Sequence, residues 1–157
     1  MIESGWWRAW VTLGFLSCAA TGVGAQHGAF QQRLETATSL QCAFSVVSTG
    51  SWKAGVPEAA SKPARLTLNF KNVNVDEGTA DAEATFGGSF VVVRHSTDYL
   101  HLMQTHGAGP LYTTTIFARE SKDGRMIAVH TRHEYTDVAV AGFTSRPETY
   151  LGDCAVK

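Results

Sequence analysis

The chain of 157 residues has few charged residues, few cysteines and no excess of either sign of charge. Charged residues make up 17% of the chain, and 13 basic residues balance 14 acidic ones, for a formal net charge of -1. This balance argues against a nucleic-acid binder, which needs clustered Lys and Arg, and against polybasic attraction to anionic lipid. Three cysteines are too few for a disulfide-dense miniprotein, whereas a hydrophobic fraction of 44% is sufficient to fill the core of one domain.

The motifs of several enzyme classes are also missing from the sequence. The chain contains no Cys-x-x-Cys pair, no Gly-x-Ser-x-Gly nucleophile elbow, no phosphate-binding loop and no dinucleotide fingerprint. A calcium-loop spacing that begins at Asn72 is superficial, because Glu77 replaces the required glycine. We therefore predict no catalytic residue, no metal site and no cofactor.

Residues 1–25 have the pattern of a secretory signal peptide. Arg8 supplies a positive charge, an apolar stretch of about 11 residues follows, and small residues precede a cleavage position between Ala25 and Gln26. A membrane anchor is an alternative, but the stretch is shorter than the roughly 20 residues that span a bilayer. Lipoprotein processing at Cys18 is a second alternative, although the residues before it fit a lipobox poorly. We expect a periplasmic or secreted protein with no stable membrane insertion after cleavage.

Residues 26–39 are predicted to form an N-terminal lead-in, and residues 40–157 a β domain. Apolar and polar residues alternate along most of the domain, with turn residues at intervals of roughly 8–12 residues. Helical periodicity is weak and is limited to one or two turns within residues 31–39. A membrane-embedded barrel is disfavoured, because Asp81 and Glu83 occupy an outward row. The fold class is therefore predicted as all-β, a single antiparallel up-and-down β-barrel of about eight strands, with a β-sandwich as the alternative.

Local patterns predict three further features of the domain. A change in apolar parity at Val73 indicates a β-bulge near Asn72. Lys122-Asp123-Gly124 is a strong hairpin signal. Residues 48–63 contain several glycines and prolines and are interpreted as a long loop that holds Trp52.

Cys42 and Cys154 are the two cysteines that remain after cleavage of the signal peptide. An even pair in an exported chain favours a disulfide over a metal or catalytic site. Both lie on the apolar parity of their strands, which are the first and the last of the predicted barrel and therefore neighbours. We predict a structural Cys42–Cys154 disulfide that locks this seam.

One predicted strand carries two histidines near its end. On a strand, His130 and His133 point to opposite faces and cannot share a metal ion without a bulge. We predict that His133 is buried beneath the sheet and that His130, Arg132 and Glu134 form a solvated row. The candidate patch for a ligand or partner consists of His130, Arg132, His133, Glu134 and Trp52.

The apolar parity of the strands also predicts which side chains fill or line the barrel. They are Leu68, Phe70, Phe86, Met103, Phe117 and Tyr135. A barrel of about eight strands has room for packed side chains or one small ligand. We therefore expect a non-catalytic protein that binds a small molecule in or at the mouth of the barrel.

Two alternatives come from other functional classes. The first is a protein-interaction module, or an inhibitor of an exported enzyme, that uses the Trp52 segment; a filled barrel with an exposed Trp52 would favour it. The second is a His-dependent enzyme, which convergence of His95, His101 and His133 would favour. The unidentified partner is thus a small molecule or an exported protein, and nucleic acid is not expected.

Several motifs in the last part of the chain occur together. They are Thr113-Thr-Thr-Ile-Phe117, Asp123-Gly124, Ala128-Val-His-Thr-Arg-His133 and Tyr150-Leu-Gly-Asp-Cys154. This combination resembles a group of short exported bacterial β-proteins with a Thr-Thr-x-Phe strand, a Val-His-Thr-Arg-His strand and a C-terminal Gly-x-Cys. The group has no assigned activity, so the resemblance implies export and a shared fold and transfers no catalytic residue.

Overall fold

The computed structural model describes residues 22–83, 89–105, 110–137 and 145–157. Their elements are α1 (Gly22–Glu35), β1 (Leu40–Lys53), β2 (Val56–Asn74), β3 (Thr79–Glu83), β4 (Ser89–Ser96), β5 (Tyr99–Thr105), β6 (Leu111–Glu120), β7 (Met126–His133) and β8 (Glu148–Val156). Each strand pairs with the next in antiparallel fashion, and β8 returns to β1 to close the barrel. The predicted all-β, up-and-down barrel of eight strands is confirmed.

The helix α1 covers one end of the barrel. Its residues Phe30 and Leu34 are buried, and Leu34 is 0% exposed. Arg33 donates hydrogen bonds to backbone carbonyls at the β6–β7 turn and at the end of β8. The sequence predicted only one or two turns at 31–39, because burial against the barrel, rather than local periodicity, stabilises this helix. Within the described chain, no helix is long and apolar enough to cross a membrane.

The two ends of the barrel are built differently. One end, which we call the capped end, is closed by α1. It also contains the connections β2–β3, β4–β5 and β6–β7 and the end of β8. At the other end β3, β5 and β7 finish and β4, β6 and β8 begin. Residues 84–88, 106–109 and 138–144 are outside the described residues. We call this other end the arm end, because the β1–β2 hairpin extends there beyond the pairing with β8.

The arm, residues 48–63, is a paired hairpin, so its interpretation as a long loop is wrong. β1 and β2 continue to a tight turn at Ala54-Gly55, where φ is 51° and 82°. Pro57 and Pro63 do not interrupt the hairpin, because this part of β2 pairs only with β1 among the described residues and so forms an edge. Proline is tolerated on edge strands, where an N–H is not needed on the outer side.

Two other local predictions are confirmed. The β2–β3 register shifts between Lys71 and Asn74, and Asn72 has a φ of 49°, as expected for a bulge. Asp123 and Gly124 form the β6–β7 turn with φ of 54° and 71°. The bulge and the turn were therefore predictable from the local sequence.

The barrel interior is packed with apolar side chains toward the capped end. Phe70 is 1% exposed, and Leu68 is partly buried against the core on the same face of β2. Other fully buried side chains are Leu100, Leu102, Ile116, Met126, Val91 and Val93. Phe86, which was also predicted to line the interior, lies outside the described residues.

Three of the predicted lining residues lie elsewhere in the structure. Met103 and Phe117 are on the outer faces of β5 and β6, since their neighbours Leu102 and Ile116 take the buried inward positions. Tyr135 follows the end of β7 and is 54% exposed. Both faces of β5 and β6 carry large apolar residues, so period two alone did not identify the inward face; strand pairing does.

The seam between β1 and β8 is closed by the predicted Cys42–Cys154 disulfide, which is confirmed. The two residues are direct partners in the β1–β8 register, and both are 0% exposed. Gly152 is required nearby, because a Cβ at this position would lie 2.7 Å from Phe44 Cα. The first and last strands are therefore joined by close backbone packing and by a covalent bond.

Candidate functional site

The inward side chains of β6, β7 and β8 become polar toward the arm end. On β7, Met126 and Ala128 are followed by His130 and Arg132. Directly opposite partners on antiparallel strands share a face, and the registers of β6 and β8 place four further side chains beside these two. We call the set the mouth cluster: Tyr112, Thr114, His130, Arg132, Glu148 and Tyr150.

His130 is the deepest residue of the mouth cluster and is 1% exposed. Its Nδ1 lies 2.9 Å from Thr114 Oγ1, and Arg132 Nε donates to its Nε2 at 3.4 Å. Because arginine only donates, Nε2 is unprotonated, so Nδ1 carries the hydrogen and donates to Thr114. Burial, with the charge of Arg132, lowers the pKa of His130 to about 3, so the imidazole is neutral at pH 7.

Arg132 lies against two tyrosine rings. Its guanidinium carbon is 5.5 Å from the ring centroid of Tyr112 and 5.2 Å from that of Tyr150. Glu148 Oε2 lies 3.7 Å from Arg132 Nη1, with both side chains mostly buried. A partly desolvated cation–π contact contributes about 1 kcal/mol, so these contacts together hold the guanidinium in one orientation.

The two tyrosine hydroxyls both donate to carboxylates. Tyr112 donates to Glu134 Oε2 at 3.0 Å, and Tyr150 donates to Glu148 Oε2 at 2.7 Å. Burial and these carboxylate acceptors raise the pKa of each tyrosine to about 12. The phenols therefore remain protonated donors over the physiological range, and each is held by a carboxylate.

Trp52 lies outside the mouth cluster, on the arm. It is 51% exposed, and its ring meets that of Tyr135 edge-on at a centroid distance of 5.6 Å. Arg146 covers the Tyr135 ring at 4.6 Å. The predicted patch is thus divided: His130 and Arg132 are in contact, Glu134 joins them through Tyr112, and Trp52 belongs to a separate aromatic contact.

The predicted orientations of the two histidines on β7 are reversed in the structure. His130 points inward and is buried, whereas His133 is exposed on the outer face and its Nε2 lies 3.1 Å from Thr131 Oγ1. The reason is the register: Met126 pairs with the inward Cys154, so the even positions of β7 face the interior. Both faces of β7 carry apolar residues, so the sequence pattern alone did not show which face points into the barrel.

The other histidines do not join the mouth cluster in the described chain. His95 has the same parity on β4 as the inward Val91 and Val93. His101 lies on the outer face of β5, where its ring stacks on that of Tyr99 with the centroids 5.7 Å apart. His106 is outside the described residues. Across the described ranges, no group of three or more His, Cys, Asp or Glu side chains is arranged to hold a metal ion.

Sequence reasoning missed the tyrosines and Glu148. Tyr150 belongs to the Tyr150–Cys154 motif, whereas Tyr112 and Glu148 belong to none, and each of the three is brought to His130 by strand register. One signal was available: Cys154 was assigned an inward position, and Tyr150 and Glu148 share its parity on the same strand. Extending that parity to the start of β8 would have placed both in the barrel mouth.

Comparison of the chain with protein-family models, curated proteins and solved structures gives no match. The motif resemblance to the group of exported β-proteins stays a prediction. Function is therefore inferred from the mouth cluster, the arm and the outer surface of the barrel.

Proposed function

We propose that the protein is an exported, non-catalytic binding protein whose small-molecule site is the mouth cluster. The arrangement of Arg132 carries this proposal: its guanidinium is held by two tyrosine rings and a carboxylate at the arm end of a closed barrel. Binding sites combine apolar or aromatic walls with a few fixed polar groups. Groups that are already oriented lose little conformational entropy when a ligand binds.

The charges at the mouth favour a ligand that donates hydrogen bonds. Glu134 and Glu148 supply two carboxylates against the single cation of Arg132, and both already accept hydrogen bonds from tyrosine. Carboxylates have several lone-pair sites each and can accept further donors. The ligand is therefore a small polar organic molecule with amine or hydroxyl donors.

The chemistry of His130 supports binding rather than proton transfer. A general base works best when its pKa is close to the operating pH. The pKa of His130 is lowered to about 3, and both ring nitrogens already have partners in Thr114 and Arg132. In this proposal His130 orients Arg132 by accepting the hydrogen bond from its Nε.

Native mass spectrometry of protein purified from the cells that make it tests the proposal. We expect a copurified small molecule with the wild-type chain and with the control variant Arg65→Gln, which alters an exposed arginine on β2. Arg132→Gln should lose it. Absence of any bound molecule from the wild type, or equal retention by Arg132→Gln, would overturn the assignment.

Export is supported by the N-terminal pattern of residues 1–25 and by the disulfide, since disulfides persist mainly in oxidising compartments. Residues 1–21 lie outside the described residues, and α1 begins at Gly22, before the predicted cleavage position. Cleavage there removes the first turn of α1 and retains Phe30 and Leu34. N-terminal sequencing should give Gln26, whereas an intact Met1 or a lipidated Cys18 would contradict the proposal.

A second candidate function, binding of an exported protein, is favoured by the arm. Trp52 is half-exposed and lies against Tyr135 and its covering Arg146. Trp, Tyr and Arg are the residues most enriched at the energetic centres of protein interfaces. Affinity capture from the exported fraction should recover a partner that Trp52→Ser loses and Lys53→Ser retains; equal recovery would remove the arm from this role.

A further inference from the structure

A groove lies on the outside of the barrel, apart from its interior. It has a volume of about 480 Å³ and runs along the outer faces of β5, β6 and β7 beside α1. Its apolar walls are Tyr99, Phe117, Ile127 and Val129. None of these residues belongs to the mouth cluster, so the groove is a separate feature of the surface.

An interruption of the sheet forms this groove. The β6–β7 register breaks between Ile116 and Glu120, whereas β6 stays bonded to β5, since Ala118 N donates to Asp98 O at 2.9 Å in the β4–β5 turn. The β5–β6 pairing thus continues where the β6–β7 pairing is interrupted. Phe117 and Ile127 are left side by side as half-buried walls of a trench.

The charged groups around the groove are not equally satisfied. Asp98 accepts a hydrogen bond from Gln31 at 2.8 Å and faces His27 at 2.9 Å, contacts that lower its pKa. Arg119 shares the outer face of β6 with Phe117 and is exposed. Within the described ranges its guanidinium makes no hydrogen bond and no ion pair, and it acts on Asp98 only through longer-range attraction.

We propose that this groove binds an organic anion with an apolar body, such as a medium-chain carboxylate. The apolar body would lie between Tyr99, Phe117 and the side chains of β7, and the carboxylate would meet Arg119. Guanidinium matches a carboxylate with two parallel hydrogen bonds, which gives both affinity and orientation. An exposed apolar trench with an unpaired cation at its rim is complementary to this class of ligand.

The test is a calorimetric titration of the purified protein with decanoate, decanol and decyltrimethylammonium below their micelle concentrations. We expect saturable binding of decanoate, with decanol and the cation at least about tenfold weaker, as loss of a charge-assisted hydrogen bond predicts. Arg119→Gln should weaken decanoate about tenfold and leave decanol unchanged. Arg65→Gln, the matched loss of an exposed arginine on the outer face of β2, should bind decanoate like the wild type.

Several results would overturn the proposal. They are an absence of saturable decanoate binding, equal affinities for the three amphiphiles, or equal weakening by Arg119→Gln and Arg65→Gln. A concentration-dependent dimer that Phe117→Ser dissociates, without decanoate binding, would show that a second copy covers the groove. Circular dichroism of each variant identifies loss of folding, and Phe117→Tyr, which keeps the wall, provides a variant whose decanoate binding should persist.

Discussion

The capped end and the arm end of the barrel differ in the side chains that point into the interior. Toward the capped end, inward residues such as Leu34, Phe70 and Met126 are apolar and fully buried. Toward the arm end, β7, the strand that carries Met126, presents His130 and Arg132, whose burial depends on hydrogen bonds and ring contacts. Apolar burial stabilises by about 25 cal/mol per Å², whereas a hydrogen bond contributes only about 1 kcal/mol net. The comparison indicates that apolar burial stabilises the barrel mainly at the capped end, whereas the arm end holds polar groups in place through hydrogen bonds and ring contacts.

The largest expected effect comes from the disulfide that closes the seam. Cys42→Ser with Cys154→Ser should lower the free energy of unfolding by about 4–5 kcal/mol, because the bond closes a loop with a sequence separation of 112. Urea unfolding of oxidised, reduced and double-variant protein measures this. A difference below about 1 kcal/mol between the oxidised and reduced forms would show that backbone pairing alone secures the seam.

Removal of the helix's deepest side chain tests the capped end directly. Leu34→Ala should destabilise the protein by about 3 kcal/mol, because it empties a fully buried site. The control Gln32→Ala, at an exposed position on the same helix, should change stability by less than about 0.5 kcal/mol. Equal thermal midpoints for the two variants would mean that α1 covers the barrel without stabilising it.

The two histidines of β7 provide a matched pair for the arm end. His130→Ala should cost about 1–3 kcal/mol, because it leaves Thr114 and Arg132 without their partner. His133→Ala, at an exposed position, should cost less than about 0.5 kcal/mol. Chemical denaturation of both variants decides the matter, and the opposite order would restore the orientation predicted from the sequence.

The smallest expected effect is a pH dependence specific to the arm end. His130 has a pKa of about 3 when folded and an ordinary value of 6.5, so the unfolded chain binds its proton first as the pH falls. The unfolding free energy therefore begins to decrease as the pH approaches 6.5 and decreases steadily below it. Between pH 6.5 and 5.5 the loss should be about 1 kcal/mol.

Stability curves of His130→Asn and His133→Asn across this pH interval check the source of the decrease. The slope should flatten in the first variant and persist in the second. A slope that both variants keep would assign the titration to other groups.

Features with short-range causes were predictable from the sequence, and features set by long-range pairing were not. The bulge at Asn72 and the turn at Asp123-Gly124 follow from local backbone preferences. The disulfide followed from compartment, parity and closure of the barrel. In contrast, the inward face of β7 depends on its register with β8, which brings Tyr150 beside His130.

The arm and α1 show a second limit of sequence patterns. Proline and glycine between 48 and 63 suggested a loop, because proline is excluded from central strands and glycine weakens them. The arm is an edge, where proline is tolerated. α1 has no marked apolar periodicity and is stabilised by burial of Phe30 and Leu34. The mouth cluster was half predicted: His130 and Arg132 were named, but the tyrosines that hold Arg132 depend on register alone.

The pairing of β1 with β8 sets the order of events during synthesis. Cys42 has its partner strand only when the last residues of β8 have left the ribosome, since the seam joins positions 112 apart in sequence. Pairing between such distant segments delays folding, because a large loop must close first. The nascent chain therefore cannot close its ring, or form the covalent bond across the seam, until β8 has been synthesised.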